Sequence, residues 1–155
     1  MFPEGFLLEK RIGCNVEAAS KKRVLEQLGQ RLAESVPELT QDLVFDALLE
    51  RERLGSTGLG KGIALPHARM SQVNRAMGAF IKLPEGIDFD ALDGGPVDLA
   101  FAMLVPEEAT DEHLQLLSKL AHMFSDNTFC EALRKAESDH ELFLLIQQRE
   151  TAIAS

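Results

Sequence analysis

Apolar residues recur every three or four positions in two segments of the first third of the chain. This spacing predicts a helix over residues 20–35, capped by Ser20, and a second helix over residues 40–53, capped by Thr40. The Gly-rich sequence LGSTGLGKG ends the second helix. The beginning of the chain is therefore predicted to be mainly helical.

The middle of the chain changes to the patterns of β-strands. Residues 78–83 alternate between two sides, and the run VDLAFAMLV at 97–105 is apolar on both faces apart from Asp98. Residues 63–65 form a short strand candidate and residues 11–16 a weaker one. A strand that is apolar on both faces is expected in the middle of a sheet covered on both sides.

The last third returns to helical spacing. Helices are predicted over residues 110–124, capped by Thr110, over residues 127–135, and after a capping box formed by Ser138 and Glu141. The order of strand, two helices, several strands and three helices predicts a central sheet with helices on both faces. With no repeat or long linker, one domain over residues 1–155 is the simplest prediction.

Composition narrows the function. The 155 residues are 45% hydrophobic and 26% charged, as in a globular domain, and the net charge is −9. The acidic balance argues against nucleic-acid binding and suits a basic protein partner. No apolar run is long enough to cross a membrane, and the N-terminus does not resemble a secretory signal, so the cytoplasm is expected. Cys14 and Cys130 are predicted to be buried, reduced thiols, with a disulfide or a metal site as alternatives.

The most unusual segment is residues 55–67, which holds glycines at positions 55, 58, 60 and 62. Glycine lets the backbone approach a ligand, and successive N–H groups can then face an anion. The segment is not a nucleotide-binding P-loop, because Gly60-Lys61 is followed by Gly62 and a strand candidate rather than by a helix. A purely structural turn is an equally good interpretation at this point.

His67 adds chemistry to the segment. It follows Pro66 directly, at the end of the strand predicted over residues 63–65. A neutral imidazole in that position, with amide donors nearby, can act as a nucleophile and accept a phosphoryl group. The alternative is a partly buried histidine with a structural role.

Two further residues are placed where a site would need them. Arg51 continues the apolar stripe of the second helix, so it lines a polar cleft, or it extends its charge to solvent at the helix end or pairs with a carboxylate. His113 lies in the first turn of the helix predicted over residues 110–124, where it could donate to an anion or be a structural histidine. His122 and His140 are given no role. Two histidines alone do not make a metal site, and no ligand cluster at metal spacing is present, so no metal is predicted.

The segment also carries a long signature. The signature begins with an acidic or amide residue, here Glu52, and an apolar-Gly pair, here Leu59-Gly60. It ends in apolar-Ala-apolar-Pro-His, here the residues 63–67, followed by Ala68. The chain thereby resembles the enzyme IIA domains of the bacterial phosphoenolpyruvate-dependent phosphotransferase system, of the fructose/mannitol class (EIIA type-2). Within that class it is most similar to the nitrogen-regulatory group, although Ala68 often is Gly and Lys61 often is Asn in relatives.

This resemblance implies an α+β fold, an α/β/α sandwich with a mixed central sheet. It implies that His67 accepts a phosphoryl group from an HPr-type phosphocarrier protein, without a cofactor or metal, while His113 stabilises the phosphohistidine and Arg51 offsets its charge. The phosphorylation state would then regulate target proteins, such as potassium transport systems or sensor kinases. The residues implied to line the phosphate pocket are Ser56, Thr57, Gly58, Gly60 and Gly62.

Two other functions stay open from the sequence. One is a sugar-transport IIA of the fructose/mannitol type, which passes its phosphate to a IIB domain. The other is a binding module whose pocket recognises an anion without covalent chemistry. The first shares His67 as acceptor, whereas the second needs only the pocket.

Overall fold

The computed structural model describes residues 2–154 and contains a mixed six-stranded sheet with helices before and after its central strands. The elements are, in chain order, β1 (Leu7–Gly13), α1 (Lys21–Ala33), α2 (Gln41–Leu54), β2 (Gly58–Gly60), β3 (Ile63–Ala64), β4 (His67–Met70), β5 (Met77–Ile87), β6 (Val97–Pro106), α3 (Thr110–Phe124), α4 (Asn127–Lys135) and α5 (Asp139–Ala154).

The sheet is organised around β6. One side of β6 pairs with β5 in the antiparallel sense, and β1 adds to β5 in parallel. The other side pairs in parallel first with β3 and then with β4, while β2 lies antiparallel to β3 at the edge. Two short strands therefore follow each other along one side of β6, and the site described below lies where the second one begins.

Alternation along β5 and β6 divides the interior into two cores. Ala79 and Ile81 belong to the core under α1 and α2, whereas Phe80 belongs to the core under α3, α4 and α5. In β6, Ala102 and Phe101 divide in the same way. The sheet is thus covered by helices on both faces, as predicted, and the fold is an α+β sandwich.

The helix predictions are confirmed, with one error at a cap. Ser20 and Thr40 accept hydrogen bonds from the N–H groups of Arg23 and Leu43 and cap α1 and α2 as predicted. Thr110 is not the cap of α3: it is the first helical residue, and Ala109 occupies the cap position without a side-chain hydrogen bond. The turn of residues 106–109 delivers the chain directly into the helix, because Ala109 N–H donates to the Pro106 carbonyl.

The strand predictions differ more. The strand predicted over residues 11–16 lies instead at Leu7–Gly13, because its first half is an exposed sheet edge with no apolar pattern. Asn15, just beyond it, has a φ of 55° and ends the extended run. The strand predicted over residues 78–83 extends to Met77–Ile87. Cys130 is buried and Cys14 half-buried, and both are free thiols.

Candidate active site

The backbone around Pro66 places His67 at the first position of β4. His67 is in register with Met103 of β6, and Met103 N–H donates to the Pro66 carbonyl at 2.9 Å. Because proline has no N–H, the ladder along β6 stops after Ala64 and resumes at His67. The prediction that His67 ends the preceding strand is therefore wrong: it begins the next strand.

One hydrogen bond determines which nitrogen of His67 is free. Nδ1 lies 2.8 Å from the Leu65 carbonyl oxygen. A carbonyl only accepts, so Nδ1 carries the hydrogen and, in the neutral ring, Nε2 holds the available lone pair. Burial is the main cause that lowers the pKa of His67, and the Arg51 charge adds to it, while the Leu65 hydrogen bond and Glu52 oppose it. The ring is thus held neutral and nucleophilic at pH 7.

His113 lies beside His67. The two ring centres are 5.0 Å apart and the ring planes meet at 77°. Burial, followed by the charges of His67, Arg69 and Arg51, lowers the pKa of His113 to about 4. Its Nε2 is buried and has no hydrogen-bond partner among residues 2–154. A buried polar nitrogen without a partner is costly, and it is a position that an incoming oxygen can satisfy.

Two arginines supply positive charge to the histidine pair. Arg51, half-buried at the end of α2, donates from Nη1 to the Gly55 carbonyl at 2.8 Å. Arg69 lowers the pKa of His113 more than Arg51 does. Sequence reasoning missed Arg69, because strand β4 was not predicted. In that strand Arg69 stands two residues beyond His67, so both side chains lie on one face of the sheet. Neither arginine takes part in an ion pair within the described chain.

The sequence predicted that Arg51 lies on the buried face of α2, but in the structure Arg51 is only half-buried. The charged residue on the buried face of α2 is Glu52, which is only 6% exposed. Its carboxylate accepts hydrogen bonds from the N–H of Thr57, at 3.1 and 3.2 Å, and from the Thr57 hydroxyl. It also pairs with Lys21 Nζ at 3.0 Å, and that ammonium lies 4.8 Å from the centre of the Phe89 ring. Sequence reasoning used Glu52 only as the start of the signature and gave it no structural role.

The loop residues predicted to line a phosphate pocket are engaged elsewhere by the contacts found here. Ser56 Oγ donates to the Phe89 carbonyl at 2.8 Å and accepts from Gly58 N–H at 3.0 Å. Gly60 and Gly62, with φ of 98° and 85°, form the turn between β2 and β3. A Cβ on Gly60 would lie 3.2 Å from a carboxylate oxygen of Asp93, and one on Gly62 would lie 2.5 Å from Nη2 of Arg134. Thr57 is held by Glu52, so a direct role for the loop side chains stays a prediction.

Other features of the described residues bear on the class of site. Within residues 2–154, no group of three or more His, Cys, Asp or Glu side chains is arranged to hold a metal ion. None of the helices in that range is long and apolar enough to span a bilayer. His122 is exposed, and His140 makes a surface contact with Glu9 at 2.6 Å.

The site therefore combines a neutral nucleophilic nitrogen, a second imidazole whose buried nitrogen lacks a partner, and two nearby guanidinium groups. This set of groups suits an anionic electrophile whose oxygens need charge stabilisation. The sequence matches, over residues 5–149, the family described as phosphoenolpyruvate-dependent sugar phosphotransferase system, EIIA 2. The chain belongs to this family, and it is a phosphotransfer component of that system.

Within the family, the chain can be compared with nitrogen regulatory proteins and with a mannitol IIA. The chain is 45% identical over 143 residues to the nitrogen regulatory protein of Pseudomonas aeruginosa, covering 92% of this chain and 93% of that one. The crystal structure of the nitrogen regulatory protein IIA-Ntr from Neisseria meningitidis matches with a TM-score of 0.85 and 46% identity, over 90% of this chain and 95% of that one. The IIA mannitol structure from Escherichia coli matches with a TM-score of 0.74 and 26% identity, over 88% and 95%. The chain is thus more similar to these nitrogen regulatory proteins than to this mannitol IIA.

Proposed function

We propose that the chain is a regulatory phosphocarrier of the nitrogen-related phosphoenolpyruvate phosphotransferase system. It accepts a phosphoryl group on Nε2 of His67 from an HPr-type carrier, and its phosphorylation state decides which target proteins it binds. The observation that carries the proposal is the hydrogen bond from His67 Nδ1 to the Leu65 carbonyl, which leaves Nε2 as the free nitrogen beside His113. The similarity to nitrogen regulatory proteins supports the regulatory part.

The chemistry follows from the positions of the groups. A bond forms between Nε2 of His67 and phosphorus as the bond between phosphorus and the carrier's histidine breaks, and the electron pair of that bond returns to the carrier's nitrogen. The hydrogen on Nδ1 of His67 stays in place, and the Leu65 carbonyl stabilises the positive character that the ring acquires. His113 donates to a phosphoryl oxygen, while Arg51 and Arg69 offset the phosphoryl charge.

The test is the intact mass of the chain after incubation with phosphoenolpyruvate, enzyme I and an HPr-type carrier. The wild type is expected to gain one acid-labile phosphoryl group. His67→Ala is expected to gain none, whereas His122→Ala, which changes an exposed histidine, should gain one. Pre-phosphorylated carrier should transfer to the chain in the presence of a chelator as well, since no step requires a metal. A wild type without an adduct, or an adduct on His67→Ala, would overturn the assignment of His67.

A second function, sugar transport, is favoured by the likeness to the mannitol IIA fold. It is distinguished by adding purified fructose- and mannitol-type IIB domains to the phosphorylated chain. We expect the phosphoryl group to remain on His67, and rapid transfer to a IIB domain would favour transport. The regulatory part is tested by comparing binding of the phosphorylated and unphosphorylated chain to potassium transport systems and sensor kinases. Equal binding of both forms, or full regulation by His67→Ala, would favour a binding module without covalent chemistry.

A further inference from the structure

A groove with a mostly apolar lining lies away from the histidine pair, between β1, the segment after α1 and the β4–β5 connection. It encloses about 400 Å³, and its lining includes Lys10, Arg11, Ser35 and Arg75. That volume is within the range of small-molecule sites. None of the residues of the histidine site lines the groove.

Arg11 is the unusual residue of this groove. It is only 3% exposed, yet no ion pair in the described part of the chain includes it. Its Nη2 donates to the carbonyls of Gly5 and Phe6, at 2.7 and 3.0 Å, and its Nε is buried without a partner among the described residues. Burying a cation costs free energy unless an opposite charge is close. Since Arg11 has no such counter-charge in the described part of the chain, its burial is not compensated by an ion pair. Burial lowers the pKa of Arg11 in agreement with this.

Two further cations and one hydroxyl group belong to residues of the same lining. Lys10 and Arg75 are exposed cations that form no ion pair within residues 2–154. Ser35 Oγ is buried and, like Arg11 Nε, has no partner among the described residues. The lining contains no acidic side chain, although the chain has 25 acidic residues against 16 basic ones. Within residues 2–154, the residues that line this groove therefore include three cations without an ion pair and two buried polar atoms without a partner, in an otherwise acidic protein.

We infer that this groove binds the oxyanion group of a small molecule, a phosphate or a carboxylate, with Arg11, Lys10 and Arg75 as its charge partners. Ser35 Oγ supplies a hydrogen bond, and apolar lining residues such as Leu8, Val36 and Met77 leave room for a carbon skeleton. A small anion fits better than an acidic protein segment, because Arg11 is almost wholly buried and only a small group reaches it. The site is independent of phosphorylation of His67.

The test is an amide ¹H–¹⁵N titration of the full chain with inorganic phosphate and, separately, with citrate. Sodium chloride at equal ionic strength is the reference for non-specific effects. We expect saturable shifts at residues 10–11, 35–36 and 72–76 that chloride does not produce. Whichever of the two anions saturates at the lower concentration identifies the source of the oxyanion. The same groove shifts should occur in His67→Ala, which separates this site from the proposed phosphoryl acceptor.

Exposed cations provide the variants, because Arg11 also holds the N-terminal turn and its loss could disturb folding. Lys10→Gln and Arg75→Gln should each weaken anion binding about tenfold, the effect of one charge-assisted hydrogen bond. Lys22→Gln removes an exposed lysine outside the groove and should leave binding unchanged.

Three results would overturn the inference. The first is no saturation by either anion up to about 100 mM, which is weaker than the binding that one charge-assisted hydrogen bond provides. The second is a set of shifts confined to the surroundings of His67 and His113, or an affinity that Lys10→Gln and Arg75→Gln leave unchanged. The third is saturable binding of a hexaglutamate peptide but of neither small anion, which would make the groove a docking site for an acidic protein segment.

Discussion

Two polar clusters, one around Glu52 and one around His67, lie at the two ends of the Gly-rich segment. They differ in how many of their hydrogen-bonding groups have partners. In the cluster around Glu52, the carboxylate is bound by Thr57 and paired with Lys21, so the charge is compensated inside the fold. In the cluster around His67, Nδ1 is bound to the Leu65 carbonyl and the ring lies 5.0 Å from that of His113, whose Nε2 has no partner among the described residues. Both clusters are buried, yet only one is complete without a further molecule.

Whether a buried polar group has all its hydrogen-bond partners distinguishes a structural role from a chemical one better than its burial or its charge does. A buried polar group whose partners are all present contributes to stability, and removing one partner leaves the others uncompensated. A buried polar group without a partner is held ready for a reacting group, at some cost in stability. The two clusters should therefore respond to mutation in opposite ways.

Glu52→Ala is expected to have the largest effect, and the effect should be on stability. The substitution leaves the Thr57 N–H and the Lys21 ammonium without their buried partner, which costs about 3–5 kcal/mol. The measurement is the free energy of unfolding in urea. Glu50→Ala, which breaks an exposed ion pair with Arg53, is the control and should cost less than about 1 kcal/mol. Equal destabilisation by the two variants would show that the Glu52 cluster is not a structural unit.

His113→Ala should affect the rate of phosphoryl transfer rather than stability. In the proposed mechanism His113 donates to the transferring phosphoryl group, and the loss of such a donor slows a reaction by about 10²–10³. The measurement is single-turnover transfer from the phosphorylated carrier, with His122→Ala as the control for loss of a histidine on the same helix. A variant that transfers at the wild-type rate, or that loses as much stability as Glu52→Ala, would place His113 among the structural residues.

The pH dependence of stability should report the two histidines. The pKa of His113 is about 4 in the folded chain, whereas an unfolded histidine has a pKa of about 6.5. The unfolded state therefore binds more protons between these values, so stability is fully present above pH about 6.5 and falls as the pH drops towards about 4. His67, whose pKa is also lowered, acts in the same direction.

Urea midpoints measured across this pH range for wild type and His113→Ala isolate the effect, because both proteins share all their carboxylates. The variant should lose part of the slope between pH about 6.5 and about 4. Two parallel profiles would mean that folding does not lower the pKa of His113.

Ser56→Ala should have the smallest effect. Its hydroxyl bridges the Phe89 carbonyl and Gly58 N–H, so its removal should cost about 1 kcal/mol of stability. The transfer rate should not change, since the hydroxyl is already engaged. A variant with wild-type stability but a rate about tenfold lower would show instead that Ser56 binds the phosphoryl group, as the resemblance implies.

The helices and the central strands could be predicted because their signal is local. Leu28 and Leu48 lie on apolar stripes of period 3.6, and β5 and β6 show the patterns of sheet-core strands. The start of β1 could not be predicted, because two apolar residues, Leu7 and Leu8, are followed by two charged ones, Glu9 and Lys10, and this order does not alternate as a half-buried strand does. The end of the short strand before His67 was placed wrongly, because Pro66 interrupts a ladder whose partner strand lies some 35 residues further along the chain.

The site could be predicted in part for a related reason. His67 belongs to a long signature, and its proximity to His113 follows from the fold that the signature implies. The sequence analysis placed Arg51 on the apolar face of α2, whereas Glu52 is the buried charged residue of that helix. Neighbours on a helix are only about 100° apart, so apolar spacing alone does not separate these two residues. Long-range partners, Thr57 and Lys21, decide which of the two is buried, and no pattern in the sequence marks them. Arg69 was missed because it lies on a strand that was not predicted.

The hydrogen bond from Nδ1 of His67 to the Leu65 carbonyl determines which ring nitrogen is the nucleophile in the proposed mechanism, and it can be observed in solution. The measurement is the long-range ¹H–¹⁵N correlation spectrum of the histidine rings, before and after phosphorylation by the carrier. We expect His67 to be a neutral ring with its hydrogen on Nδ1, and then to carry the phosphorus on Nε2, seen through the ³¹P–¹⁵N coupling. A ring protonated on Nε2, or phosphorus bound to Nδ1, would contradict the assignment of the nucleophile.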